Sequence, residues 1–247
     1  MTLDLAVIGG TGLYQFPGLE DVERRTLDTP YGAPSGAVVL GRFRGRRLAF
    51  LARHGEDHTL APHRVNYRAN LWALHRLGAR RVLGVNAVGG IRADMKPRAL
   101  AVPDQIIDYT HGRISSYSDM EGVKVEHIDF SEPYGAALRA DVLAAARRAG
   151  VAVVDGGCYG ATQGPRLETR AEIARLRRDG CDLVGMTGMP EAALARELGI
   201  DYACLALVAN WAAGCGDQAE ISLEEIFANL AAATAEVPKI IAALLGD

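Results

Sequence analysis

The chain has 247 residues, 49% of them hydrophobic, and a net charge of −3, which gives enough apolar material for one large domain or two small ones. That charge excludes a basic footprint for nucleic acid or an anionic membrane. No apolar run reads as long enough to span a bilayer, and the N-terminus MTLDLAVIGG lacks the basic lead and apolar core of a signal peptide.

The four cysteines, Cys158, Cys181, Cys204 and Cys215, sit in or near apolar runs and show no CxxC spacing. They read as buried, reduced thiols of a cytoplasmic protein, and no metal site is expected from them. No repeat or Pro/Ser linker divides the chain, so a single domain over 1–247 is expected.

Leu3 to Ile8 reads as a short apolar strand that runs into Gly9-Gly10-Thr11-Gly12. A strand feeding a glycine turn with a hydroxyl brings backbone N–H groups against an anion, although a plain tight turn has the same composition. The G-x-G-x-x-G spacing of a dinucleotide site is absent. Ala37 to Phe43 and Arg47 to Leu51 read as a hairpin whose second strand ends in Arg53-His54-Gly55. That basic pair is either solvated surface charge or a phosphate holder, with Arg as planar fork and His as directed donor. His63 to Leu77 has helical spacing and closes at Gly78.

Arg81 to Val85 reads as a strand ending in Asn86-Ala87-Val88-Gly89-Gly90, where glycines allow close approach of backbone to a ligand. Val102 to Asp108 reads as strand, and His111 to Val123 as a polar loop that could close on a ligand. Helix is expected from Tyr134 to Ala149 and strand from Val151 to Tyr159. GATQGPRLET is a loop leading into a helix from about Glu168 to Arg178. Glu168 is either a first-turn carboxylate facing the helix dipole or a group aimed at a ligand.

Asp182 to Met186 is a strand ending in MTGMPE, followed by a helix from Glu191 to Leu198. Tyr202 to Ala213 is an apolar strand carrying Asn210 near its end, either a turn cap or a ligand reader at the carboxyl end of a strand. Ile221 to Leu245 closes the chain as one or two helices, interrupted near Pro238. The alternation of strands and helices gives an α/β protein with a mostly parallel or mixed sheet.

Six motifs stand in one order: GGTG, RHG followed by His58-Thr59 and Pro62, NAVGG, GPRLET, GMTGMPE and the strand ending at Asn210. Together they resemble the trimeric purine nucleoside phosphorylase and methylthioadenosine phosphorylase family over nearly the whole chain. The resemblance implies a single α/β domain with a twisted mixed central β-sheet flanked by helices, assembled as a homotrimer with sites near subunit boundaries. It implies reversible phosphorolysis, in which phosphate attacks C1′ of a purine nucleoside and releases the base. Inorganic phosphate is then a co-substrate, and no metal or organic cofactor is needed. By the same resemblance Thr11, Arg53, His54, Asn86, Ala87 and Thr187 hold the phosphate. Met186 packs against the sugar, Gly89 belongs to the substrate-binding set, and Asn210 stabilises the departing base.

The family's 6-aminopurine members carry Asp at the Asn210 position and Ser at the Glu168 position. Here a carboxamide can accept from a protonated N7 and donate to O6, and Glu168 can accept the N1–H of a 6-oxopurine. The 6-oxopurine members also place a His near the closing helix for the 5′-hydroxyl, but none of the six histidines lies beyond His127. Leu223 and Phe227 stand there instead, either as helix core or as a pocket for a 5′-methylthio group. His127 resembles a residue that methylthioadenosine members lend to a neighbouring subunit. The expected reaction is phosphorolysis of 5′-methylthioinosine to hypoxanthine and 5-methylthioribose 1-phosphate. The alternatives are a methylthioadenosine phosphorylase, a general inosine/guanosine phosphorylase, or a non-catalytic nucleotide-binding protein on the same fold.

Overall fold

Leu5–Gly9 (β1) is buried at every residue, and its side chains alternate between two cores. Leu5 and Val7 pack in one, Ala6 and Ile8 in the other. A strand covered on both faces has no polar side to show, which is why it reads as a continuous apolar run. The computed structural model describes residues 2–216 and 222–246. Its strands form one 11-stranded mixed sheet.

β1 lies parallel between Arg46–Ala52 (β4) and Arg81–Gly90 (β5). Val38–Phe43 (β3) pairs antiparallel with β4, and Glu20–Arg25 (β2) with β3. On the other edge of β5, Asp201–Trp211 (β11) runs parallel to it from Arg81 to Gly90. Leu183–Gly185 (β10) crosses the end of β5 antiparallel and continues the sheet through Cys158–Ala161 (β9) and Gln105–Asp108 (β7). Leu100–Val102 (β6) pairs with β11 and with Val153–Asp155 (β8).

Tyr67–Arg76 (α1) and Glu191–Glu197 (α4) pack together on one face. Ala136–Arg148 (α2), Leu223–Thr234 (α5) and Val237–Leu245 (α6) cover the other. Arg170–Arg178 (α3) closes a smaller cluster with Ile173 and Leu176.

Several boundaries differ from the sequence reading, each for a local reason. β2 has the sequence EDVERR and is exposed throughout, so no apolar period marks it. The strand expected at Val102 to Asp108 is two, because Pro103 has no N–H for a ladder. The strand expected at Val151 to Tyr159 breaks where Gly156 and Gly157 take φ of 83° and 121°. NAVGG belongs to β5 itself and is not a loop after it. The helix at His63 begins later, at Tyr67, where the Asn66 side chain accepts from Ala69 N. α3 starts after Thr169, which forms a capping box with Glu172. Glu168 therefore precedes the helix and is not a first-turn carboxylate.

The expected start of the last helix at Ile221 lies outside the described residues. Leu223–Leu245 is 23 residues long, with a mean hydropathy of 1.3 over an 18-residue stretch, so by length and composition it could cross a bilayer, contrary to the reading that no apolar run is long enough. It breaks into α5 and α6, and it buries Leu230, Ala233, Val237, Ile240 and Ile241 in the protein core.

Candidate active site

β1, β4, β5 and β11 run parallel, so their carboxyl ends meet at one edge of the sheet. β10 arrives antiparallel, with Val184 opposite Gly89, and the chain beyond it returns along β5. That register sets Thr187 beside Asn86, whose Nδ2 donates to Thr187 Oγ1 at 2.8 Å. The strand ends enclose a cavity of about 450 Å³. Thr11, Arg53, His54, Ala87, Gly89, Glu168, Met186, Thr187 and Asn210 all line it, from six separate stretches of sequence.

At one end the glycine turn passes over Arg53. A Cβ on Gly10 would lie 2.6 Å from Val85 O and 2.9 Å from Arg53 Nη1, so only glycine admits this approach. Arg53 is fully buried, and its guanidinium forms a bidentate pair with Glu191, both contacts at 2.7 Å. Nη1 also donates to Val85 O at 3.0 Å and Nη2 to Asn86 Oδ1 at 3.3 Å. Burial opposes the charge on Arg53, but the Glu191 carboxylate more than offsets this and raises its pKa. Tyr202 Oη completes the network by donating to Glu191 Oε1 at 2.8 Å. The cation at this end is thus already compensated by a buried anion.

His54 corrects the sequence reading of a directed donor. Its Nδ1 lies 2.7 Å from Leu60 O. A carbonyl only accepts, so Nδ1 carries the proton. Burial, with Arg53 alongside, pushes the His54 pKa down to about 4. Near neutral pH, Nε2 therefore offers a lone pair, and it can accept from the P–OH of a hydrogen phosphate.

Asn86 is also corrected. It is fully buried and does not line the cavity; it orients Arg53 and Thr187 from behind.

At the other end stand Asn210 and Glu168. The register of β11 against β5 slips between Val208 and Asn210, leaving Ala209 as an extra residue. The Ala209 carbonyl accepts from Asn229 Nδ2 on α5 at 2.9 Å, and Asn229 Oδ1 accepts from Arg98 Nε at 2.8 Å. This clamp holds the bulge that turns Asn210 into the cavity. Asn210 Nδ2 donates to Trp211 O at 2.6 Å, which keeps its second N–H and its Oδ1 for a ligand. Glu168 Oε1 accepts from Thr162 Oγ1 at 2.6 Å, which fixes the carboxylate and leaves Oε2 open. A second cavity of about 410 Å³ adjoins at Glu168.

Leu223 and Phe227 do not line the cavity; they are 66% and 57% exposed. α5 turns Ile226 and Leu230 into it instead. All four positions lie within one helical stripe, so spacing alone could not choose between the pairs. His127 is exposed and outside this chain's cavity. Sequence reasoning also missed Glu191 and Asn229, which act through partners distant in the chain. For Glu191 the one signal was a carboxylate inside the otherwise apolar stretch MPEAALA.

The model of the phosphorylase superfamily matches residues 4–246. A protein of Xanthomonas campestris pv. campestris named probable S-methyl-5′-thioinosine phosphorylase is 61% identical over 98% of this chain and 97% of its own. The S-methyl-5′-thioadenosine phosphorylase of Mycobacterium tuberculosis is 46% identical over 91% of this chain and 81% of its own. Among solved structures, the methylthioadenosine phosphorylase of Schistosoma mansoni in complex with adenine superposes with a TM-score of 0.93 at 28% identity, covering 99% of this chain and 91% of that one.

Proposed function

The chain belongs to the phosphorylase superfamily, and from that premise we infer that it cleaves S-methyl-5′-thioinosine with phosphate, giving hypoxanthine and 5-methylthioribose 1-phosphate. The observation that carries this reading is the pairing of Asn210 and Glu168 at one end of a cavity whose α5 wall is apolar, formed by Ile226 and Leu230. A 6-oxopurine offers N1–H to the Glu168 carboxylate, while its N7 and O6 face the Asn210 carboxamide. The methylthio group meets alkyl side chains where a 5′-hydroxyl would find no partner. Relatives named probable S-methyl-5′-thioinosine phosphorylase, at 56% to 61% identity, support the same substrate.

In this mechanism a phosphate oxygen attacks C1′ as the C1′–N9 bond breaks, through a transition state with positive charge on the ribose ring. The Gly10 to Gly12 turn, Thr11, Thr187 and the charge-compensated Arg53 hold the phosphate, and His54 Nε2 accepts a hydrogen bond from its P–OH. Met186 supports the ribose. Asn210, donating to O6, stabilises the negative charge that develops on the leaving base, a contribution felt more in the transition state than in the bound nucleoside, while the Glu168 carboxylate anchors the base by accepting its N1–H. No metal or organic cofactor enters. Phosphate dependence gives the direct test. Release of hypoxanthine and a sugar 1-phosphate from S-methyl-5′-thioinosine should require phosphate, and equal release in its absence would mean hydrolysis and overturn the reading.

Methylthioadenosine is the second reading, favoured by the solved neighbours of this fold. Against it, adenine has no N1 proton for Glu168 to accept. We further assign the protein to purine salvage in the cytoplasm, as a homotrimer in which exposed Leu223, Phe227 and His127 are covered by a neighbouring copy. Sedimentation at micromolar concentration tests the assembly, and a monomer would refute it.

A further inference from the structure

Arg113 lies in the 111–123 connection, outside every motif that pointed to the cavity. Its guanidinium is half-buried, yet among the described residues no carboxylate stands within ion-pair distance. It is engaged by carbonyl groups instead. Nη2 donates to Thr162 O at 3.2 Å and Gln163 O at 2.8 Å. Nη1 donates to Met186 O at 2.8 Å and Met189 O at 2.6 Å. Nε donates to Gln163 Oε1 at 3.1 Å, and the group sits 5.7 Å from the Tyr67 ring centroid.

The two branches of the fork thus reach two different strand ends. Thr162 and Gln163 follow β9 and lead to Glu168, which Thr162 already holds by its hydroxyl. Met186 follows β10 and lines the cavity. The ladder between β9 and β10 stops at Ala161 and Gly185. Past that point the strand ends are joined by Thr162 N donating to Gly185 O at 2.8 Å, and then by Arg113. A guanidinium presents its donors in a rigid plane, so carbonyls bound on opposite branches are held at a set separation; a lysine ammonium imposes no such geometry.

We propose that Arg113 is a positioning residue that bridges the β9 and β10 ends and sets the gap between Glu168 and Met186, the base arm and the ribose arm of the cavity. It touches no reacting atom. The proposal rests on the nucleoside reading for what spans that gap. At the phosphate end it reaches only Thr187, which lies between the held carbonyls of Met186 and Met189; the Gly10 to Gly12 turn and Arg53 stand outside the effect.

Arg113→Ala and Arg113→Lys test it. The nucleoside KM should rise about tenfold or more, and the phosphate KM, which depends on this segment through Thr187 alone, by several-fold less. Guanidinium ion, added at roughly tens of millimolar, should restore part of the activity of Arg113→Ala and none of that of Arg113→Lys. Amide hydrogen exchange gives a readout that needs no substrate. Peptides covering 160–169 and 184–190 should exchange faster in both variants, with 81–90 unchanged. Unchanged exchange at the two strand ends, or both KM values rising by the same factor, would overturn the proposal. Faster exchange in a protein whose wild type cleaves no nucleoside would support the bridge and overturn the nucleoside reading. If Arg113→Ala does not fold, Arg113→Lys carries the same measurements.

Discussion

His54 is kept neutral by burial and by the adjacent Arg53, with its pKa pushed down to about 4. The unfolded chain would protonate the same ring at about 6.5. As pH falls, the unfolded state therefore takes up the proton first. The stabilisation is fully present above about pH 6.5 and is lost as pH drops through about 4, on the order of 3 kcal/mol. Denaturant unfolding of wild type and His54→Gln across this window checks it: the wild-type stability should fall more steeply toward acid. Parallel profiles would mean that His54 is not buried neutral.

The Arg53–Glu191 pair makes a second residue-scale prediction. Both side chains are essentially inaccessible, at 0% and 1%, so Glu191→Gln leaves a buried cation without its partner. That should cost about 3–5 kcal/mol of stability, whereas replacing both residues by apolar ones of similar size should cost much less. A double-mutant cycle with no coupling would contradict the pairing. These two residues show where sequence reading stops. Arg53 was legible as a basic residue at a strand end. Its carboxylate partner lies 138 positions further on, where local pattern carries no information.

At the scale of elements, the glycine turn after β1 is tightly constrained backbone at the Arg53 end of the cavity, to which we assign phosphate. A methyl on Gly10 meets Val85 O and Arg53 Nη1 inside van der Waals contact. Gly10→Ala must therefore lift the turn, and the phosphate KM should rise at least about tenfold, with a smaller change in nucleoside KM. Steady-state kinetics with phosphate as the varied substrate would show it, and an unchanged phosphate KM would move the anion site elsewhere.

Most elements could be read from the sequence, because buried strands and amphipathic helices leave strong patterns. The misses have physical causes. β2 is an exposed edge with no apolar period, and paired glycines end β8 early. α5 carries Leu223, Ile226, Phe227 and Leu230 in a single stripe, so the cavity-facing pair became visible only once the helix was docked on β11. Glu168 was legible as a choice between helix start and ligand group, and the Thr169–Glu172 capping box removes the first, since the helix begins after it.

For the whole molecule, the cavity exists because four parallel strands end at one edge and a fifth returns antiparallel across it. Side chains from six distant stretches then meet in one volume. Their order along the chain was readable, but the grouping of Thr11, Arg53 and His54 at one end of the cavity and of Glu168 and Asn210 at the other follows only from the topology.

The measurement that tests this account most directly is kcat/KM for 5′-methylthioinosine, 5′-methylthioadenosine and inosine, each with saturating phosphate and with the released base identified. A preference for 5′-methylthioinosine of at least about a hundredfold over both others is expected, a margin that hydrogen-bond reading of a base can supply. A preference for 5′-methylthioadenosine would contradict the roles of Asn210 and Glu168, and a preference for inosine would contradict the apolar wall of Ile226 and Leu230.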